Sequence, residues 1–169
     1  MDLSTGSITS VDYQTQVVGE NQPKTDRFQH RYTYDKNARL KYVETSRNGV
    51  IWERDAAYDY DRLGTLRRVT IGEDSVQGID YTYTLLGELK AINHPSLDPA
   101  NDAGQDGTGT GANRNVAKDA FALGFSYHDG DFEKTVGSTP SPFNTNNTSF
   151  LKHEGTGLWS GFIGATTLH

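Results

Sequence analysis

The sequence predicts an all-β fold, an antiparallel meander of β-hairpins, on two observations. Three stretches follow one template, Tyr-x-Tyr-[Asp/Thr]-x-x-[Gly/Ala]-x-Leu-x-x-[Val/Ile], beginning at Tyr32, Tyr58 and Tyr81. Recurrence every 23 to 26 residues is the mark of an array whose neighbouring units complete one another's core. The apolar content is also heavily aromatic, with nine Tyr, seven Phe and two Trp, which suits half-buried sheet faces.

Each unit reads as strand, turn, strand. Tyr32 and Tyr34, Tyr58 and Tyr60, and Tyr81 and Tyr83 are two apart, so each pair shares a face of its strand and can form part of a stacked aromatic ladder across strands. Asp35 and Asp61 follow where the strand must stop, since a short carboxylate accepts backbone N–H bonds two residues on. Gly64 and Gly87 supply the positive φ that ends a tight connection. Ala38 stands in place of Gly and Thr84 in place of Asp, so the first turn is expected to differ in type or to be held by Asn37. Leu40 with Val43, Leu66 with Val69, and Leu89 with Ile92 open the return strands. Their spacing of three points the two side chains to opposite faces of a regular strand, so either a bulge shifts the phase or both faces are partly covered.

Strands are expected at about 8–18, 26–34, 39–46, 50–60, 65–71, 78–84 and 88–93. Asn48-Gly49 is the sharpest hairpin signal between units, because both residues suit a two-residue type I′ turn. Ile71-Gly72-Glu73-Asp74 marks another turn. Beyond Asn93, residues 94–115 form a Gly/Asp-rich stretch read as a surface excursion or partly disordered segment. Residues 116–169 should hold one short helical turn, a strand at about 121–127, a polar segment over 137–149 and a strand over 158–168. The expected organisation is a hairpin array over 1–93, a loop over 94–115 and this mixed remainder.

Composition sets limits. The chain has 169 residues, 34% hydrophobic, and 18 Gly, with a mean hydropathy of -0.69. With no Cys, neither a disulfide framework nor a thiolate metal site can form. No apolar run reaches the roughly 18 residues of a helical membrane span. Residues 24–69 carry net +4 and residues 70–133 net -8. Strands alternating solvent-facing Lys and Arg with inward Tyr and Val explain the basic half, and the overall charge of -6 opposes a nucleic-acid partner.

The tandem Tyr-x-Tyr-Asp-x-x-Gly-x-Leu pattern resembles the Rhs or tyrosine-aspartate (YD) repeat proteins, over about residues 8–93. Val76-Gln77-Gly78-Ile79-Asp80-Tyr81 and Gly124-Phe125-Ser126-Tyr127-His128-Asp129 extend the likeness to long bacterial members. The resemblance implies a structural segment of a spiralling, hollow shell, secreted or at the cell surface, that can enclose a C-terminal polypeptide such as a toxin. Implied partners are the rest of the shell or further copies joined through sheet edges. The family's self-cleaving aspartate site has no counterpart in these residues, so the resemblance carries over no catalytic residue, and the chain reads as a section or truncated relative of a larger shell.

Readings from other classes are weaker. Asp98, Asp102, Asp106-Gly107 partly fit a calcium loop, with Asn113 where an EF-hand places its bidentate Glu; an acidic surface loop is the expectation, with no metal or cofactor. Asp129-Gly130-Asp131 reads as a turn rather than an acid/base pair. The five His show no metal-ligand spacing. Gly107-x-Gly109-x-Gly111 lacks the flanking strand and helix of a phosphate-binding loop, and no Gly-x-Ser-x-Gly elbow is present. Asn146-Asn147-Thr148-Ser149 holds overlapping glycosylation sequons of a kind common in Asn-rich loops. The alternative to the shell is a carbohydrate-binding or adhesive β module using Trp52 and Trp159.

Overall fold

A computed structural model of the chain describes residues 6–13, 28–128, 163 and 165–168. They form one open antiparallel sheet whose spatial order equals its chain order. The strands are β1 (Ser10–Tyr13), β2 (Phe28–Tyr34), β3 (Leu40–Ser46), β4 (Glu53–Tyr60), β5 (Leu66–Ile71), β6 (Gln77–Tyr83), β7 (Leu89–Ile92), β8 (Leu123–Ser126) and β9 (Ala165–Leu168). The fold is thus all-β and a meander of hairpins, as the repeats predict.

The three repeat turns share one geometry. In each, the backbone N–H of the fourth template residue donates to the carbonyl four positions on: Asp35 to Arg39, Asp61 to Thr65 and Thr84 to Glu88, at 2.8–2.9 Å. The αL residue is Ala38 (φ 59), Gly64 (φ 95) or Gly87 (φ 88). Each loop is therefore a three-residue connection ending in a left-handed residue. Asp35 Oδ1 accepts from the N–H of Asn37 and Arg39, and Asp61 Oδ1 from Leu63 and Thr65. Thr84 does the same work with its hydroxyl, accepting from the Glu88 N–H at 3.1 Å and donating to the Glu88 carboxylate at 2.7 Å. The Ala38 turn does not change type; Asp35 holds it.

A bulge resolves the spacing of three. Tyr34 pairs with Leu40 and Thr33 with Tyr42, leaving Lys41 extra. The same step recurs at Arg67 and Lys90. The inserted residue rotates the return strand, so Leu40 and Val43 face Tyr34 and Tyr32 on one side of the sheet. Followed through the register, that side carries all six template tyrosines with Leu66, Val69, Ile79, Leu89, Ile92, Leu123 and Phe125. The opposite side carries Thr33, Tyr42, Ala57, Arg68, Gly78, Asp80, Thr82 and Ala91.

Strands are staggered where units meet. Residues 77–80 of β6 pair with β5, whereas residues 81–83 pair with β7. Likewise β4 uses 53–57 against β3 and 56–60 against β5. The division is complete in β6, while Ala56 and Ala57 of β4 and Gln29 to Arg31 of β2 pair on both sides.

Three expectations are corrected. Asn48-Gly49 does not make a two-residue turn: the last pair is Thr45 with Glu53. Ser46 Oγ accepts from the Gly49 N–H and donates to the Ile51 carbonyl, and Asn48 Oδ1 accepts from Val50 and Ile51. Local side-chain bonds have outcompeted the shorter turn, and β4 starts at 53 rather than 50. No helix is present among the described residues; around Val116 there is a hydrogen-bonded turn from Asn113, then a parallel bridge of Ala117 to Gln77. Residues 94–122 are an ordered cover rather than a loose excursion. They pack on the non-tyrosine side of β5–β7, where Asp106 bonds Arg68, and Pro95, Val116 and Ala122 are buried, as are Lys90 and Ala91 of β7.

Candidate functional site

Two arrangements stand out, the joint between units and a buried cluster of carboxylates. At the joints, the second tyrosine of a unit latches onto the unit before it. Tyr34 Oη donates to the Ile8 carbonyl, Tyr60 to Leu40 and Tyr127 to Leu89, each at 2.8 Å. In all three cases the tyrosine lies three residues past the last backbone pair on its strand and the acceptor two residues before it, counted from Ser10–Arg31, Tyr42–Ala57 and Ala91–Gly124. The same offset from Arg68–Asp80 relates Tyr83 to Leu66, but there the tyrosine hydroxyl makes no such bond. Phe125-x-Tyr127 therefore occupies the place of the tyrosine pair in a fourth unit, separated from the third by the 94–122 cover.

Arg39 adds a second tie. Its guanidinium pairs with Asp35 at 2.7 Å and lies over the Tyr60 ring, 4.5 Å from the centroid, so the first turn grips the second unit. That guanidinium, with the backbone N–H of Arg39 and Asn37, holds the Asp35 carboxyl down at about 2. All six template tyrosines are half-buried. Burial raises the hydroxyl pKa of Tyr60, Tyr81 and Tyr83. Among the described residues, ring-on-ring contacts run along β2, from Phe28 to His30 and from His30 to Tyr32.

The carboxylates lie on the other side. Arg68 and Asp80 are cross-strand partners on β5 and β6, and the guanidinium bonds Asp80 and both oxygens of Asp106. Gly78 and Gly104 flank it; a Cβ at either would overlap the guanidinium. Asp102 and Asp119, both from the cover, complete the cluster. Relative exposure is 5% for Asp80, 2% for Asp102, 1% for Asp106 and 7% for Asp119. Oxygens of Asp80, Asp102 and Asp106 lie within 4.8 Å of one another. Asp102 Oδ2 accepts from the Asp106 N–H at 3.0 Å, but Oδ1 of Asp102 and Oδ1 of Asp119 are buried with no hydrogen-bond partner.

Arg68 bonds the carboxylates of Asp80 and Asp106 directly, with Arg67 acting on Asp80 from further off and His94 near Asp102, so the four carboxylates outnumber the guanidinium that binds them. Burial, then the neighbouring carboxylates, push Asp119 up to about 7. Burial lifts Asp80 to about 7 despite Arg68, and raises Asp106 as well. Burial works against the charge of Arg68, but Asp106 and Asp80 raise its pKa overall. Chemically, the cluster is a buried set of hard oxygen donors.

No family model, curated protein or solved structure matches this chain.

The acidic-surface-loop expectation is corrected for Asp102 and Asp106, which point inward because Arg68 beneath them offers the compensating charge. Asp98 alone is exposed, starting a turn through the Ala100 N–H. Asn113 braces the loop by donating to the Gly104 carbonyl at 2.8 Å. Asp80 and Asp119 were not singled out by sequence reasoning. The available signal was Asp80, whose position one before Tyr81 puts it on the face opposite the tyrosines. Trp52 is half-buried with the Arg31 guanidinium 4.3 Å over its ring. Trp159, the Asp129-Gly130-Asp131 pair and the Asn146-Asn147-Thr148-Ser149 sequons lie outside the described residues, as does the first part of the expected 158–168 strand.

Proposed function

We propose that the chain is a structural segment of a larger Rhs-like YD-repeat shell, secreted or at a bacterial surface, that surrounds a polypeptide cargo and performs no catalysis of its own. The observation that supports this most is the joint: one offset and one tyrosine-to-carbonyl bond recur at three places, the condition for adding units indefinitely. The stagger at each joint favours coiling, since closing or spiralling a sheet requires sheared strand pairing. The tyrosine face also supports it, for no described layer covers that side of the sheet and a wall needs one face toward its contents.

The edges supply the test. The Thr9 carbonyl accepts from the Tyr32 N–H, so the alternation of an antiparallel ladder turns the backbone groups of Ser10 and Asp12 outward, where another strand can pair. Sedimentation velocity over a wide concentration range should show reversible association that Ser10→Pro weakens. A monomer at every concentration, unchanged by Ser10→Pro, overturns the reading. The sugar-binding alternative gains nothing from Trp52, because Arg31 already occupies its ring face.

A further inference from the structure

We infer that Asp80, Asp102 and Asp106, with Asp119 beside Asp102, form a binding site for a hard divalent cation, Ca²⁺ by preference, and that the ion fastens the 94–122 cover to β5–β6. An acidic cluster alone would not justify this. The decisive observation is that two carboxylate oxygens, Asp102 Oδ1 and Asp119 Oδ1, are buried inside the cluster without any donor. An unpaired buried acceptor is costly, and Arg68 has turned its hydrogen bonds toward Asp80 and Asp106 instead.

A cation meets the unfilled demand. It accepts lone pairs from several oxygens at once and, unlike a neutral donor, cancels part of the excess negative charge. The oxygens of Asp80, Asp102 and Asp106, all within 4.8 Å of one another, fit around an ion with oxygen contacts of about 2.3–2.6 Å. Preference for Ca²⁺ over Mg²⁺ follows from burial. Mg²⁺ retains several waters and demands near-octahedral geometry, whereas these carboxylates are nearly sealed from solvent. Ca²⁺ tolerates irregular, all-protein oxygen sets.

The donors come from two separate parts of the chain. Asp80 belongs to the sheet, and Asp102, Asp106 and Asp119 belong to the cover, so binding should stiffen the contact between them. This inference stands independently of the shell reading, because it concerns one insertion and not the array.

Isothermal titration of the full chain, stripped with EGTA, tests it directly with CaCl₂ and MgCl₂. A single-site isotherm with Ca²⁺ in the micromolar to millimolar range, weaker with Mg²⁺, is expected, together with a higher melting temperature in Ca²⁺ than in EGTA. Asp102→Asn and Asp119→Asn, each checked for retained sheet content by far-ultraviolet circular dichroism, should weaken Ca²⁺ binding at least about tenfold and erase the melting shift. No binding heat and no melting shift with wild-type protein would overturn the inference. So would Asn variants that melt higher than wild type equally in Ca²⁺ and EGTA, since that is the behaviour of a carboxylate pair relieved by sharing a proton. Amide hydrogen exchange offers a second readout: Ca²⁺ should slow exchange in residues 98–119 and leave β2–β4 unchanged.

Discussion

Tyr60 donates its hydroxyl to the Leu40 carbonyl at 2.8 Å, across the boundary between the first and second repeats. The bond begins where backbone pairing between β3 and β4 has ended at Tyr42–Ala57. A side chain thus prolongs the ladder beyond its last rung, and the second tyrosine of the template is explained by what it does for the preceding unit.

Removing that hydroxyl alone should be measurable. Tyr60→Phe is expected to cost about 1 kcal/mol, the usual net value of a hydrogen bond. Tyr34→Phe and Tyr127→Phe should cost similar amounts and add, being remote from one another. Urea unfolding of the single and triple variants checks this. Tyr60→Ala also removes a half-buried ring and should cost about 2–3 kcal/mol, below the range for full core truncations.

The repeat turns invite a reciprocal exchange. Ala38 holds φ 59 and Gly64 holds φ 95 in equivalent positions. Gly64→Ala should destabilise by about 1–2 kcal/mol, the strain of a left-handed L-residue. Ala38→Gly relieves such strain but loosens the unfolded chain, so a change within about 0.5 kcal/mol of zero is expected. Thermal melts of both variants measure the asymmetry.

Asp35 makes the low-pH behaviour specific. Its folded pKa of about 2 lies below the ordinary 3.8, chiefly through Arg39. A depressed carboxyl stabilises above its unfolded pKa, and the contribution disappears as pH falls through the folded value. The wild-type chain should therefore lose stability relative to Asp35→Asn between about pH 4 and pH 2. Denaturant midpoints of the two proteins, compared at pH 6, 4, 3 and 2, give the difference; an unchanged gap would contradict it.

Arg68 should be among the least replaceable side chains on the non-tyrosine face. Arg68→Met leaves buried carboxylates without their cation, a defect of about 3–5 kcal/mol in comparable buried pairs. Gly78→Ala reaches the same group from another direction, since the new methyl would overlap a guanidinium pinned by Asp80 and Asp106. It should cost about 1–3 kcal/mol. Exchange protection of residues 94–122 should fall in both variants before that of β2–β4.

Most of the sheet was legible because its determinants are local and repeated. Tyr32-x-Tyr34 and Leu40-x-x-Val43 state the strands, and even their mismatch of phase pointed to the bulge now seen at Lys41. Asn48-Gly49 misled because Ser46 and Asn48 offer side-chain oxygens to the same backbone groups, a competition that dipeptide preference does not register. The carboxylate cluster was the least legible part. Its members lie 39 positions apart at the extremes, from Asp80 to Asp119, and only the pairing of Arg68 with Asp80 and the folding back of the cover bring them together. Polar composition alone made 94–115 read as solvent-exposed, because nothing local to it signals the guanidinium underneath.

Tyr127 reaches Leu89 with the geometry that Tyr60 uses for Leu40, although 38 residues of sequence separate the first pair and 20 the second. The distance the chain travels between two units is therefore irrelevant to how they dock. A seam of this kind takes a long insertion between two units without changing how the strands dock, so the surface of the sheet can diversify while its frame stays the same.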